Sequence, residues 1–183
     1  MFSTDYYYLV AGLREWTLES DTKSFNVREI VDEILAELTK RDRQAVRLLY
    51  AYYDCENIIA YRAGRERHND LGNLSREQIE TMFRERGYAE LSANVAKVVK
   101  YFNEQDDEER DEDLLITQTF EHALFDAYYR DLAESKCSFL RSWGEFDRNL
   151  RNIAAALAAR EAGRSVADVV VGDGEVVEQL KSS

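Results

Sequence analysis

Tyr53-Asp54-Cys55-Glu56-Asn57-Ile58-Ile59-Ala60-Tyr61-Arg62-Ala63-Gly64-Arg65 is a helix-forming stretch interrupted by polar residues, and the chain contains a second version of it. That version runs Phe146-Asp147-Arg148-Asn149-Leu150-Arg151-Asn152-Ile153, continues through an alanine-rich tail, and closes with Arg160-Glu161-Ala162-Gly163-Arg164. An aromatic residue precedes Asp in both, Asn followed by an aliphatic comes next, and Ala-Gly-Arg ends each. Asn57-Ile58 matches Asn152-Ile153 at an offset of 95, and the Ala-Gly-Arg triplets match at 99. The difference is close to one helical turn, so the matched residues keep roughly the same face. Asp and Asn are poor residues for a helix interior, because their side chains compete for backbone hydrogen bonds. Their recurrence points to a repeated helical unit with a fixed internal polar contact.

Around these two stretches the pattern is helical throughout. Proline is absent from the 183 residues, where average usage would place about nine, and proline breaks helix interiors. Asn26 is an N-cap candidate for a helix with Val27, Ile30, Val31, Ile34, Leu35 and Leu38 on one stripe. Asp42 is the expected cap of the next helix, which carries the first polar motif and ends at Gly64. Residues 65–74 form a polar connection, and Ser75-Arg76-Glu77-Gln78 is a capping box for a short helix that stops near Gly87. Leu91, Val95, Val98, Val99 and Phe102 outline a further amphipathic helix, and Leu114 to Leu132 a long one. Phe139 to Ala162 carries the second motif, with Gly163 as its C-cap. Residues 165–174 read as a short element and a turn, and Glu175 to Lys181 as the start of another helix. Tyr6 to Leu13 reads as a buried extended segment or a short first helix. The fold class is therefore all-α, built from repeated antiparallel units with long amphipathic helices. The expected division is residues 1–104, holding the first motif, and 105–183, holding the second.

Composition excludes several function classes. The net charge of −12 opposes binding to nucleic-acid phosphates or an anionic membrane surface. Glu104 to Asp113 holds nine charges among ten residues, eight of them negative, and reads as a solvated linker without the spacing of a calcium loop. No apolar run approaches the ~20 residues of a membrane span, and the N-terminus lacks a signal-peptide pattern. The expected location is the cytoplasm. Cys55 and Cys137 lack metal-site spacing and read as reduced packing residues. His68 and His122 stand apart from other ligands, so no metal or cofactor is expected. Phosphate-binding, nucleophile-elbow and metalloprotease motifs are missing. The eleven tyrosines fit either a helical core or a protein interface.

Two readings of the polar motif remain open at this level. Asp54, Asn57, Asp147, Asn149 and Asn152 form a carboxylate–amide site, or they make structural hydrogen bonds between segments. No base, nucleophile or metal partner accompanies them, and duplication within one chain favours structure over catalysis. Arg62, Arg65, Arg160 and Arg164 sit at helix C-termini, where they can bind terminal carbonyls or an acidic neighbour. Asn149 and Asn152 are both candidates for the position matched by Asn57.

Asp-x-x-Asn-aliphatic followed by a helix and a terminal Arg, repeated in an all-helical chain, resembles the C subunit of V/A-type rotary ATPases, called d in eukaryotes. The whole chain is similar to a bacterial family encoded within V-type ATPase operons. Tyr6-Tyr7-Tyr8-Leu9-Val10-Ala11-Gly12-Leu13 and the stretches Arg160 to Ser165 and Val171 to Glu175 carry that closer match. The resemblance implies pseudo-symmetric helical units and a non-catalytic role, in which the chain links the central stalk to the proteolipid rotor ring. It also implies a peripheral place at the inner membrane through those subunits, without insertion. A helical adaptor or assembly factor of the same ATPase is the alternative. The resemblance further implies a third unit beyond Ser183, so the expectation is an incomplete set of repeats.

Overall fold

The computed structural model describes residues 6–15, 17, 19–20, 25–104 and 118–182. Among them the chain is all-helical, with eight α-helices and no strand. The helices are α1 Tyr7–Gly12, α2 Val27–Glu37, α3 Lys40–Arg62, α4 Arg76–Glu85, α5 Ala93–Asn103, α6 Phe120–Ala133, α7 Ser138–Glu161 and α8 Glu175–Ser182. A short 3-10 turn, Val166–Asp168, precedes α8. The chain divides into two compact units, Met1–Val46 and Arg47–Ser183, and the boundary falls inside α3. The sequence-based boundary at 104/105 abuts residues 105–117, which lie outside the described residues together with most of the acidic run.

Local chemistry explains most helix ends. In the first unit, the Asn26 side chain accepts from Arg28 and Glu29 N–H and starts α2. The cap of α3 is Thr39 rather than Asp42. Thr39 Oγ1 accepts the Asp42 N–H at 3.2 Å, and Asp42 sits one turn in, bound by the hydroxyls of Thr39 and Tyr6. Those hydrogen bonds, Tyr6 first, hold the Asp42 carboxyl below its ordinary range. The first segment takes the helical alternative as α1, but it buries no residue, and Tyr7, Tyr8 and Val10 are exposed. On α2 only Val31 of the expected stripe is buried.

In the second unit the capping box at Ser75 is present as read. The helix it opens ends near Gly87 as expected, with Arg86 as the closing residue: Arg86 takes the left-handed conformation at φ 55°, and its N–H reaches the Met82 carbonyl. Helix α6 starts at Phe120 with the Thr119 side chain as its cap; Leu114 and Leu115, the expected start of this helix, lie outside the described residues. The main core joins Cys55 and Ile58 of α3, Ile79 of α4, Val95 and Val99 of α5, Leu124, Tyr128 and Leu132 of α6, and Leu140 of α7, all almost fully buried. A smaller core lies where α7 meets α8: Ala156, Val170 and Val177, flanked by Val166, Val169 and Leu180. Helices α6 and α7 approach closely at Gly144, where a Cβ would sit 2.9 Å from that of Leu132. No helix among the described residues is long and apolar enough to cross a membrane.

Candidate functional site: two amide latches

The buried polar residues among those described are Asp54, Asn57, Asp131 and Asn152. Three of the four belong to the repeated motif, so what they bind determines what the motif does. Burying such groups is costly unless every donor and acceptor is satisfied.

Asn57 uses both ends of its amide on one residue of the following loop. Its Nδ2 donates to the Asn69 carbonyl at 2.9 Å, and its Oδ1 accepts the Asn69 N–H at 2.7 Å. Asn152 does the same to Val171: Nδ2 donates to the carbonyl at 2.8 Å, and Oδ1 accepts the N–H at 2.9 Å. Each Asn thus mimics a peptide group and holds the chain that returns along its own helix. The loop that makes this return begins in the same way in both copies. Gly64 and Gly163 take φ of 66° and 64°, a backbone that costs glycine little. In the first copy the Arg65 N–H reaches the Ala60 carbonyl and the Gly64 N–H that of Tyr61; in the second the Arg164 N–H reaches the Ala159 carbonyl and the Gly163 N–H that of Arg160, the double closure of a Schellman motif in both. The following short helix runs back to the end of the long one in both. Tyr61 stacks on Phe83 of α4 with ring centroids 5.2 Å apart, and Arg160 donates to the Leu180 carbonyl of α8 at 2.9 Å.

This geometry resolves the alternatives in the second copy. Asn152, not Asn149, matches Asn57. One turn earlier, Asn149 takes the place of Asp54, and Asp147 faces elsewhere. Asp54 Oδ2 accepts from the Asn73 side chain at 2.6 Å, and Oδ1 accepts the Leu74 N–H at 2.9 Å, which fixes the loop just before the Ser75 cap. Burial pushes the Asp54 carboxyl above its ordinary value, although both hydrogen bonds work against that shift. Asn149 Oδ1 is buried without a hydrogen-bond partner among the described residues, as is Nε of Arg148, whose guanidinium lies against Gly172. The second copy therefore has only the Asn half of the first copy's contact.

Asp147 instead joins a separate cluster at a small cleft lined by Tyr50, Tyr52, Tyr53, Tyr128 and Trp143. It accepts from the Tyr129 hydroxyl at 2.8 Å and from Arg151 Nε at 2.9 Å. Arg151 lies 4.0 Å above the Tyr52 ring and donates to its hydroxyl at 2.8 Å. Burial raises the Tyr128 and Tyr129 hydroxyls well above the usual tyrosine range. Arg62 lies over the Phe120 ring at 4.1 Å. Arg65 lies 4.0 Å from Glu121.

Two contributors were not singled out from the sequence. Asp131 on α6 accepts the Asn94 and Val95 N–H groups and so caps α5 from another helix. Gly72 allows the loop to pass over the first latch, where a Cβ would stand 2.8 Å from both Asn57 Nδ2 and Asp54 Oδ1. Among the described residues no group of His, Cys, Asp and Glu could hold a metal ion.

Residues 3–183 match the model of a family described as "Protein of unknown function (DUF2764)". The chain belongs to that family. No curated protein and no solved structure matches it.

Proposed function

We propose that this DUF2764 member is a non-catalytic, C-subunit-like component of a V-type ATPase, linking the central stalk to the membrane rotor ring during ion-translocating ATP hydrolysis or synthesis. The observation that carries the reading is the duplicated unit: long helix, left-handed glycine, returning loop latched by an Asn amide, and a short helix folded back. The polar side chains of the first copy are spent on this contact. Both amide atoms of Asn57 and both oxygens of Asp54 are engaged with the loop. Groups used in this way lock a loop to a helix, which suits a spacer that must transmit force without deforming. The chain would bind stalk and ring subunits through its surfaces, would need no cofactor, and would stay peripheral to the inner membrane on the cytoplasmic side. Its charge of −12 fits basic protein partners and disfavours nucleic acid.

The test is co-purification. The chain is tagged at its chromosomal locus, membranes are solubilised in mild detergent, and the captured proteins are identified by mass spectrometry. Recovery of stalk and ring subunits is expected. Capture without any head, stalk or ring subunit would overturn the proposal.

A further inference from the structure

Helix α7 presents six large apolar side chains to solvent on one face. Phe139, Trp143, Phe146, Leu150, Ile153 and Leu157 are 61, 39, 58, 55, 43 and 55% exposed. Their spacing is 4-3-4-3-4, the period of 3.5 residues by which a helix meets another helix along a coiled-coil seam. The residues that α7 buries in its own fold, Leu140, Gly144, Asn152, Ala156 and Ala159, lie off this stripe. Phe139, Trp143 and Phe146 form a continuous ladder, with ring centroids 6.3 and 5.9 Å apart. With roughly 200 Å² for each full side chain, the stripe exposes on the order of 600 Å², the upper end of what a monomer leaves uncovered.

We propose that this seam is a homodimer interface, in which α7 of a second copy lies antiparallel on it about a two-fold axis near Arg148. The order of the side chains selects this occupant. All three aromatics stand in the N-terminal half and all three aliphatics in the C-terminal half. An antiparallel pair sets Phe139 against Leu157, Trp143 against Ile153 and Phe146 against Leu150, so each layer joins one ring to one aliphatic. A parallel pair would set each ring against its own copy. The two-fold arrangement is self-complementary, and the combined area, about 1,200 Å², reaches the range of stable interfaces. Charge agrees: α7 carries four arginines and three acidic residues, so it is nearly neutral within a chain of −12. Opposed helix dipoles favour the same orientation. The dimer is independent of the ATPase reading.

Sedimentation equilibrium of the full chain at about 1 to 100 µM tests this, at concentrations typical of interfaces this size. The expected mass is twice 21.3 kDa. Phe146→Glu with Leu150→Glu, both at exposed positions, should weaken dimerisation at least ~100-fold and leave the far-ultraviolet circular dichroism unchanged. Orientation is read by cross-linking in a Cys137→Ser background. A Phe139→Cys chain mixed with a Leu157→Cys chain should form a mixed disulfide. Phe139→Cys alone should not cross-link, because antiparallel packing holds its two copies about 27 Å apart. A monomer at the top concentration, a dimer that survives the double Glu substitution, or self-cross-linking of Phe139→Cys would each overturn the proposal.

Discussion

Replacing Asn57 with Ala removes two hydrogen bonds at once, both to the same backbone residue; it leaves the Asn69 N–H without its partner, while the Asn69 carbonyl keeps the Gly72 N–H at 3.1 Å. Each lost bond costs about 1 kcal/mol net, and an orphaned buried group about 1–3 kcal/mol more. Asn57 itself is 3% exposed, but Asn69 is half-buried, so water can reach part of the gap. The expected loss is about 2–4 kcal/mol, a fall in Tm of roughly 5–15 °C for a chain this size. Asn152→Ala removes the matching pair to Val171 and should cost a similar amount, because Asn152 is also 3% exposed and its bonds are as short. Urea unfolding followed by circular dichroism at 222 nm gives both values. The reasoning is refuted if either substitution changes stability by less than about 0.5 kcal/mol, the ordinary range of a surface change. An Asn149→Ala loss as large as that of Asn152→Ala would refute the assignment of the second latch.

Gly72→Ala should destabilise by about 1–3 kcal/mol, because its Cβ would press on two side chains that are each fixed by hydrogen bonds; thermal melting reads it. Gly144→Ala should cost a similar ~1–3 kcal/mol by forcing α6 and α7 apart at Leu132, again measured by melting. Asp54→Asn should change the pH dependence of stability. The folded-state carboxyl is raised above its ordinary 3.8, so the folded chain binds more protons than the unfolded one between those values. Wild-type stability should therefore fall relative to Asp54→Asn as pH rises from about 4 through the folded value, and stay lower above it. Urea titrations across that range check the sign; a wild type that gains on the variant as pH rises would contradict it.

Signals confined to a few neighbouring residues carried most of the fold. The Asn26 cap, the Ser75 capping box and the left-handed glycines 64 and 163 are legible because donor, acceptor and turn lie within one or two helical turns. What stayed hidden depends on partners distant in sequence. The shared Asn-Ile pair is the one local sign that favours Asn152 over Asn149-Leu150, and the contact that decides it lies nineteen residues away at Val171. Asp131 caps α5 across 36 or 37 residues, and no sequence pattern announces that. Arg86 ends α4 where glycine was the natural expectation, although Gly87 is the next residue. The Asp in each motif invited a shared role, yet Asp54 holds a loop and Asp147 a tyrosine and an arginine. Sequence periodicity also cannot show which apolar stripe of a helix is covered, so the outer seam of α7 became visible only in three dimensions.

The central claim is that the latched units form part of a rotary ATPase. Quantitative mass spectrometry of the ATPase purified through a different subunit tests it most directly. The account predicts this chain at a fixed ratio to the central-stalk subunits in the fully assembled, active complex. Its absence there, or its presence only with partly assembled intermediates, would contradict the claim.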